Sequence, residues 1–207
     1  MTRPSSSRRQ LMALPAAWLA LAACGVSAQT AQPSSGAASA ASAPAARARG
    51  PGRNDQQFVR KAARSGMAEV QLGRLGQERA SNPRVKAFAE RMVSDHGAAN
   101  EELLALARKK GIDEMPKEID GEHRRAAERM QRLNGVAFDR AFMRQMAEDH
   151  RKAVSEFERA AKRDDGDADI KAFAAAKLPT LQEHLRHAEG LRDGGIAASA
   201  PGAAASR

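Results

Sequence analysis

Aromatic residues make up only 3% of this 207-residue chain, with no tyrosine and a single tryptophan, Trp18. β-Branched residues are also few, whereas Ala, Leu, Glu, Lys, Arg and Gln abound, a balance that favours helix over sheet. A core must therefore come from Leu, Met, Ala and six Phe, all lying between Phe58 and Phe173. Cysteine occurs once, as Cys24, so no intrachain disulfide can form. No nucleophile elbow, phosphate loop or paired-thiol motif is present to supply those chemistries.

Charge of one sign is less dominant than the formal +9 suggests. All 25 acidic residues and 27 of the 34 basic ones fall within 54–193, a net charge of +2. Both signs alternate along the chain, which describes a solvated helical surface and not a phosphate-binding face. Nucleic acid is not an expected partner.

The longest apolar run, Leu11 to Ala23, falls short of the ~20 residues that span a bilayer, so no transmembrane helix is expected in the mature chain. It follows Arg3, Arg8 and Arg9, and residues 1–28 read as an export signal. Two processing readings compete. Leu21-Ala22-Ala23-Cys24 has the pattern of a lipoprotein site, with Cys24 as the lipidated residue and membrane anchor, whereas Val26-Ser27-Ala28 has the small-x-small form of ordinary cleavage. Ser7-Arg8-Arg9-Gln10-Leu11-Met12 is compatible with either a twin-arginine signal or a plain basic leader. The expected location is the periplasm, or attachment to the outer membrane, of a Gram-negative bacterium. Residues 29–53 and 194–207, rich in Ala, Ser, Pro and Gly, read as a disordered tether and tail.

Between them, apolar residues recur at helical spacing. A first helix is expected from an Asn54 or Asp55 cap to about Ala80, with Glu69 inside its apolar stripe. Ser81-Asn82-Pro83 stops it and starts a second helix to Lys110. A short, highly charged helix over about 118–133 reads as a surface crossover, with His123 solvated. Two further long helices are expected over 136–163 and 168–192, the last kinked near Ala175 or Ala176 by Pro179 and carrying a solvent-facing His187. The fold class is all-α: a ferritin-like up-down four-helix bundle with a short crossover helix between the two helix pairs.

One motif occurs twice. Met92-Val93-Ser94-Asp95-His96 and Met146-Ala147-Glu148-Asp149-His150 each place an acid and an imidazole in mid-helix. Antiparallel helices joined by a tight turn bring residues equidistant from it to one height. Glu69 and Asp95 each lie 13 residues from Asn82, and His150 and His184 lie 16 and 18 from Gly166, within ~3 Å in height at ~1.5 Å per residue. Glu69, Asp95, His96, Asp149, His150 and His184 are thus candidates for one mid-bundle cluster. Carboxylates and imidazoles from facing helices build transition-metal sites in bundles. The competing reading is a buried hydrogen-bond network in which each Asp-His pair satisfies itself. Iron, zinc, copper and manganese are not separable at this level, and the histidine content disfavours magnesium and calcium.

Phe58…Ala68-Glu69…Leu72-Gly73, the two Asp-His motifs, Gly135-Val136-Ala137-Phe138-Asp139 and Leu178-Pro179-Thr180-Leu181-Gln182-Glu183-His184-Leu185 occur in an order that resembles the bacterial exported family called domain of unknown function 4142. The resemblance spans about Asp55 to Leu191 and implies a ferritin-like bundle outside the cytoplasm, with no established activity. A di-iron centre needs Glu-x-x-His on two helices. The residues three before His96, His150 and His184 are Val93, Ala147 and Leu181, so a ferroxidase centre is not expected. Three functions stay open: an envelope binding module holding a metal, a metal-dependent oxidoreductase or peroxide-handling enzyme, and a structural envelope stress protein with a satisfied polar core. Oligomeric state is not readable from the sequence.

Overall fold

The computed structural model of the protein describes residues 50–195. The readings made for the leader, Cys24, most of the tether and nearly all of the tail lie outside those residues. Among the described residues five α-helices follow one another: α1 (Arg53–Arg79), α2 (Pro83–Lys109), α3 (Gly121–Gln131), α4 (Gly135–Lys162) and α5 (Ala168–Gly190). The last is extended by a π-helical turn, Leu191–Gly195, where the sequence suggests plain helix to Arg192. No helix among the described residues is long and apolar enough to cross a membrane.

Local chemistry sets most of the boundaries. Asn82 caps α2 by accepting from the Arg84 N–H, ahead of Pro83 in the first helical position. Asp167 caps α5 by accepting from the N–H groups of Asp169 and Ile170. The crossover helix starts three residues later than its composition suggests, because the Asp120 carboxylate captures the His123 N–H and fixes the first turn there. Helix α5 continues through Pro179 without interruption.

The N-terminus of α1 departs from expectation. Neither Asn54 nor Asp55 caps it: Gly52 is the N-cap residue and makes no side-chain cap bond. Asp55 is instead buried, accepting from Arg163 and from the Asp167 N–H in the α4–α5 turn. Asp139, in the first turns of α4, does the same for the other hairpin. It accepts from the Ser81 N–H at 3.0 Å, the Ser81 hydroxyl at 2.5 Å and the Asn82 N–H at 2.9 Å. Each hairpin's turn is thereby tied to the opening end of the other. Helix α4 starts beside the α1–α2 turn, so it runs antiparallel to α1 and parallel to α2. The segment from Lys110 to Asn134 carries the chain back along the bundle, the ferritin-like connectivity.

Two apolar clusters fill the bundle. Toward the α1–α2 turn, Leu72, Phe88, Met92, Phe142 and Met146 pack with Ala126, Ala127 and Met130 of α3. Toward the α4–α5 turn, Phe58, Val59, Leu103, Ala160 and Ile170 form the second. In the first cluster α1 and α2 approach closely at Gly76, where an added Cβ would lie 2.7 Å from the Ala89 Cβ and 3.0 Å from the Phe142 ring. A Gly76→Leu substitution gains about 1 kcal/mol in helix propensity but overpacks this contact, for an expected net loss of about 2 kcal/mol. Denaturant midpoints check this, and an unchanged midpoint contradicts it.

Candidate metal centre

Glu69 of α1, His96 of α2, His150 of α4 and His184 of α5 are all buried, and all lie between the two apolar clusters. One nitrogen from each of the three imidazoles lies within 4.8 Å of the others. His96 and His150, on diagonally opposed helices, bring their Nε2 atoms to 3.3 Å. Two nitrogens bound to a tetrahedral ion at ~2.0–2.1 Å stand ~3.3–3.4 Å apart, so this spacing is that of two ligands on one ion.

Two of the three outer nitrogens are spoken for. His150 Nδ1–H donates to the Met146 carbonyl at 2.9 Å, one helical turn back, which leaves the Nε2 lone pair facing His96. His184 Nε2–H donates to Asp95 Oδ2 at 2.9 Å, which leaves the Nδ1 lone pair inward. That Nδ1 is buried and has no hydrogen-bond partner among the described residues. An imidazole whose far N–H is held by a carboxylate or backbone carbonyl is the usual arrangement behind a metal ligand.

Electrostatics keeps the ring lone pairs free. Burial lowers the pKa of His96 well below its usual range, and the neighbouring His150 and His184 push it the same way. Burial and His184 lower His150 to about 4, against the opposing bond to Met146. Burial lowers His184 too, with Asp95 opposing. The rings are therefore neutral at pH 7, the form that binds metal. Glu69 is shifted upward, by burial first and by the Asp149 charge second. Its Oε1 stands 3.7 Å from His150 Nδ1, and its Oε2 is buried without a partner.

The six sequence candidates separate into two groups. His96, His150 and His184 converge, with the Glu69 carboxyl group beside the outer nitrogen of His150. The two aspartates of the repeat do not join them, and neither pairs with its own neighbouring histidine. Asp95 lies at the rim, where Arg91 and His184 share it. Asp149 accepts two bonds from Gln145 and faces His123 Nε2 at 3.8 Å. Both copies of the repeat are therefore used alike, with the histidine inward and the aspartate outward, and neither forms a self-contained Asp-His pair. His123 is also not solvated: its side chain is 12% exposed, and its Nδ1 lies 2.9 Å from Asp120. The sequence reading passed over Arg91, Gln145 and the Met146 carbonyl. Each stands one helical turn before the Asp95, Asp149 or His150 it holds, so i,i+4 spacing is the signal that finds them. His187 is exposed, as its place off the apolar stripe suggests.

Beside the cluster lies a cavity of about 300 Å³, walled by α1, α2, α4 and α5, whose lining includes Glu69, His96 and His184.

No curated protein matches the chain. Its fold is similar to that of several solved structures, among them the following three. A DUF305 fragment from Deinococcus radiodurans aligns with a TM-score of 0.61 at 18% identity, over 70% of this chain and 98% of that one. A DUF305 protein from Streptomyces coelicolor gives 0.57 at 13%, over 67% and 91%. CopM in its Cu(II)-bound form gives 0.58 at 15%, over 68% and 97%. At these identities the likeness is one of fold alone. A family profile described as Domain of unknown function (DUF4142) matches residues 37–191, most of the chain, and the protein belongs to that family.

Proposed function

We propose that this protein is an exported metal-binding module of the cell envelope, holding one transition-metal ion at mid-bundle through His96, His150 and the Nδ1 of His184. The observation that carries the reading is the buried, unpartnered His184 Nδ1 facing two other neutral imidazoles, with its own far N–H anchored on Asp95. A self-satisfied polar core accounts for this less well, since it leaves both His184 Nδ1 and Glu69 Oε2 buried and unpaired. Glu69 is not one of the converging ligands; it stands 3.7 Å from the outer nitrogen of His150 as a neighbouring acid. Three imidazoles suit zinc, copper, iron or nickel in preference to magnesium or calcium. The Cu(II)-bound state of CopM makes copper the first ion to test. Export rests on residues 1–28, with Cys24 as the lipid-anchor candidate and 29–53 as the tether.

The test is metal analysis of protein purified without an affinity tag and titrated with Cu(II) and Zn(II). One equivalent is expected in the wild type and none in a His96/His150/His184 triple-alanine variant. Equal metal content in the two overturns the reading. Asp95→Ala keeps all three ligands but frees the His184 ring, and affinity is expected to fall about 10- to 100-fold, the usual cost of losing an orienting partner.

A further inference from the structure

A cluster of three imidazoles leaves a tetrahedral ion with one position to fill. His96 and His184 also line the 300 Å³ cavity, and His150 does not. The open side of the cluster is thus toward the cavity. An engineered cavity of about 150 Å³ accepts a benzene molecule, so one aromatic ring fits here with room to spare. Most of the remaining wall is apolar, with Leu103, Phe157, Phe173 and Leu181 as its large members. Phe157 and Phe173 stand 6.2 Å apart and tilted, offering ring faces and edges to a guest.

The two cations at the cavity are already engaged. Arg91 pairs with Glu183 at 2.8 Å and with Asp95 at 3.2 Å. Lys177 pairs with Glu102 at 2.5 Å and stands 5.7 Å from the centre of the Phe173 ring. Both ion pairs run between α2 and α5. No unpaired positive charge is therefore offered to an anion, and the Glu69 carboxyl group at the inner wall does not favour one. We propose that the cavity admits a small uncharged ring compound whose single nitrogen or phenolic donor completes the coordination of the metal. This rests on the metal-binding reading above and assigns that site an exogenous ligand class.

The probe is 4-phenylimidazole, with imidazole, acetate and azide as comparisons, added to the Co(II)-loaded full-length mature protein. The visible d–d bands of the cobalt report the ligand. 4-Phenylimidazole is expected to shift them and to bind at least tenfold more tightly than imidazole, because its phenyl ring enters the apolar part of the cavity. Acetate and azide are expected to leave them unchanged at the same concentrations. Ala99→Phe on α2 and Ala153→Phe on α4 each fill the cavity from a different wall, and both are expected to keep one equivalent of cobalt while losing the 4-phenylimidazole response. Using two variants protects the test against one that fails to fold. Cobalt bound with bands that 4-phenylimidazole does not move overturns this inference alone and leaves the fourth position to water. Equal affinity for imidazole and 4-phenylimidazole, or a stronger response to azide, also overturns it. Absence of bound cobalt overturns this inference, and absence of bound copper and zinc as well overturns the metal-binding reading.

Discussion

An Asp139→Ala variant is expected to unfold about 10 °C below the wild type. The carboxylate is fully buried at the junction of the two hairpins, where it takes three hydrogen bonds from Ser81 and Asn82. A hydrogen bond to a charged acceptor contributes about 1.5–3 kcal/mol, and a donor stripped of its partner adds a desolvation cost if it stays dry. Ser81 is exposed and can turn to water, whereas Asn82 is buried. A net loss of about 3 kcal/mol follows, which is ~10 °C for a domain of this size. Asp139→Asn keeps one acceptor oxygen and is expected to recover about half. Thermal unfolding followed by circular dichroism reads both, and an alanine variant within 2–3 °C of wild type would show that the tie does not hold the hairpins in register.

The same tie explains what the sequence could not convey. Helix periodicity and the Asn82-Pro83 and Asp167 signals predict the long helices because a cap and a stripe are local properties. Equal distance from a tight turn places Glu69 level with residues 95–96, and His150 near His184, because the turn fixes height within each hairpin. Which member of an adjacent pair faces inward depends on the rotation of each helix, and residues about 100° apart on a helix leave that open. His96 and His150 won the inward position, while Asp95 and Asp149 found partners on other helices. The docking of one hairpin on the other is equally non-local. Asp55, read as a cap, is a long-range strut to residues 163 and 167, and His123, read as solvated, lies against Asp120 and close to Asp149. The partners of Asp55, and Asp149 beside His123, lie too far along the chain for periodicity or spacing to reveal them, whereas Asp120 stands only three residues before His123.

Acid is expected to destabilise the metal-free protein by more than any single substitution considered above. His150 is lowered to about 4 from an unfolded value near 6.5, so the unfolded chain takes up a proton across that interval and the folded one does not. Stability from this group is complete above pH 6.5 and is lost as pH falls toward 4, about 3 kcal/mol between pH 7 and pH 4. His96 and His184 shift in the same direction and add to the loss. Glu69 opposes it. Its raised pKa means the folded protein keeps a proton that the unfolded chain sheds above about 4.5, a contribution present at low pH and lost as pH rises. Asp149, also raised, acts in the same sense but less strongly. Asp95, Arg91 and Glu183 complete the charged surroundings of His184. Three imidazoles outweigh the one strongly shifted carboxyl group, so the net slope is loss on acidification as pH falls from 6.5 toward 4. Denaturant unfolding of the metal-free protein at pH 7, 5.5 and 4.5 measures it. Glu69→Gln removes the opposing group and deepens the loss, whereas His150→Phe removes one of the three protons and makes it shallower. Metal raises the stakes, because protons compete for the nitrogen lone pairs that would hold the ion. A loaded protein that releases its ion over the same pH interval in which the metal-free protein weakens would tie binding and fold to the same imidazoles. A metal-free protein equally stable at pH 7 and pH 4.5 would show that these rings are not held neutral in the folded state.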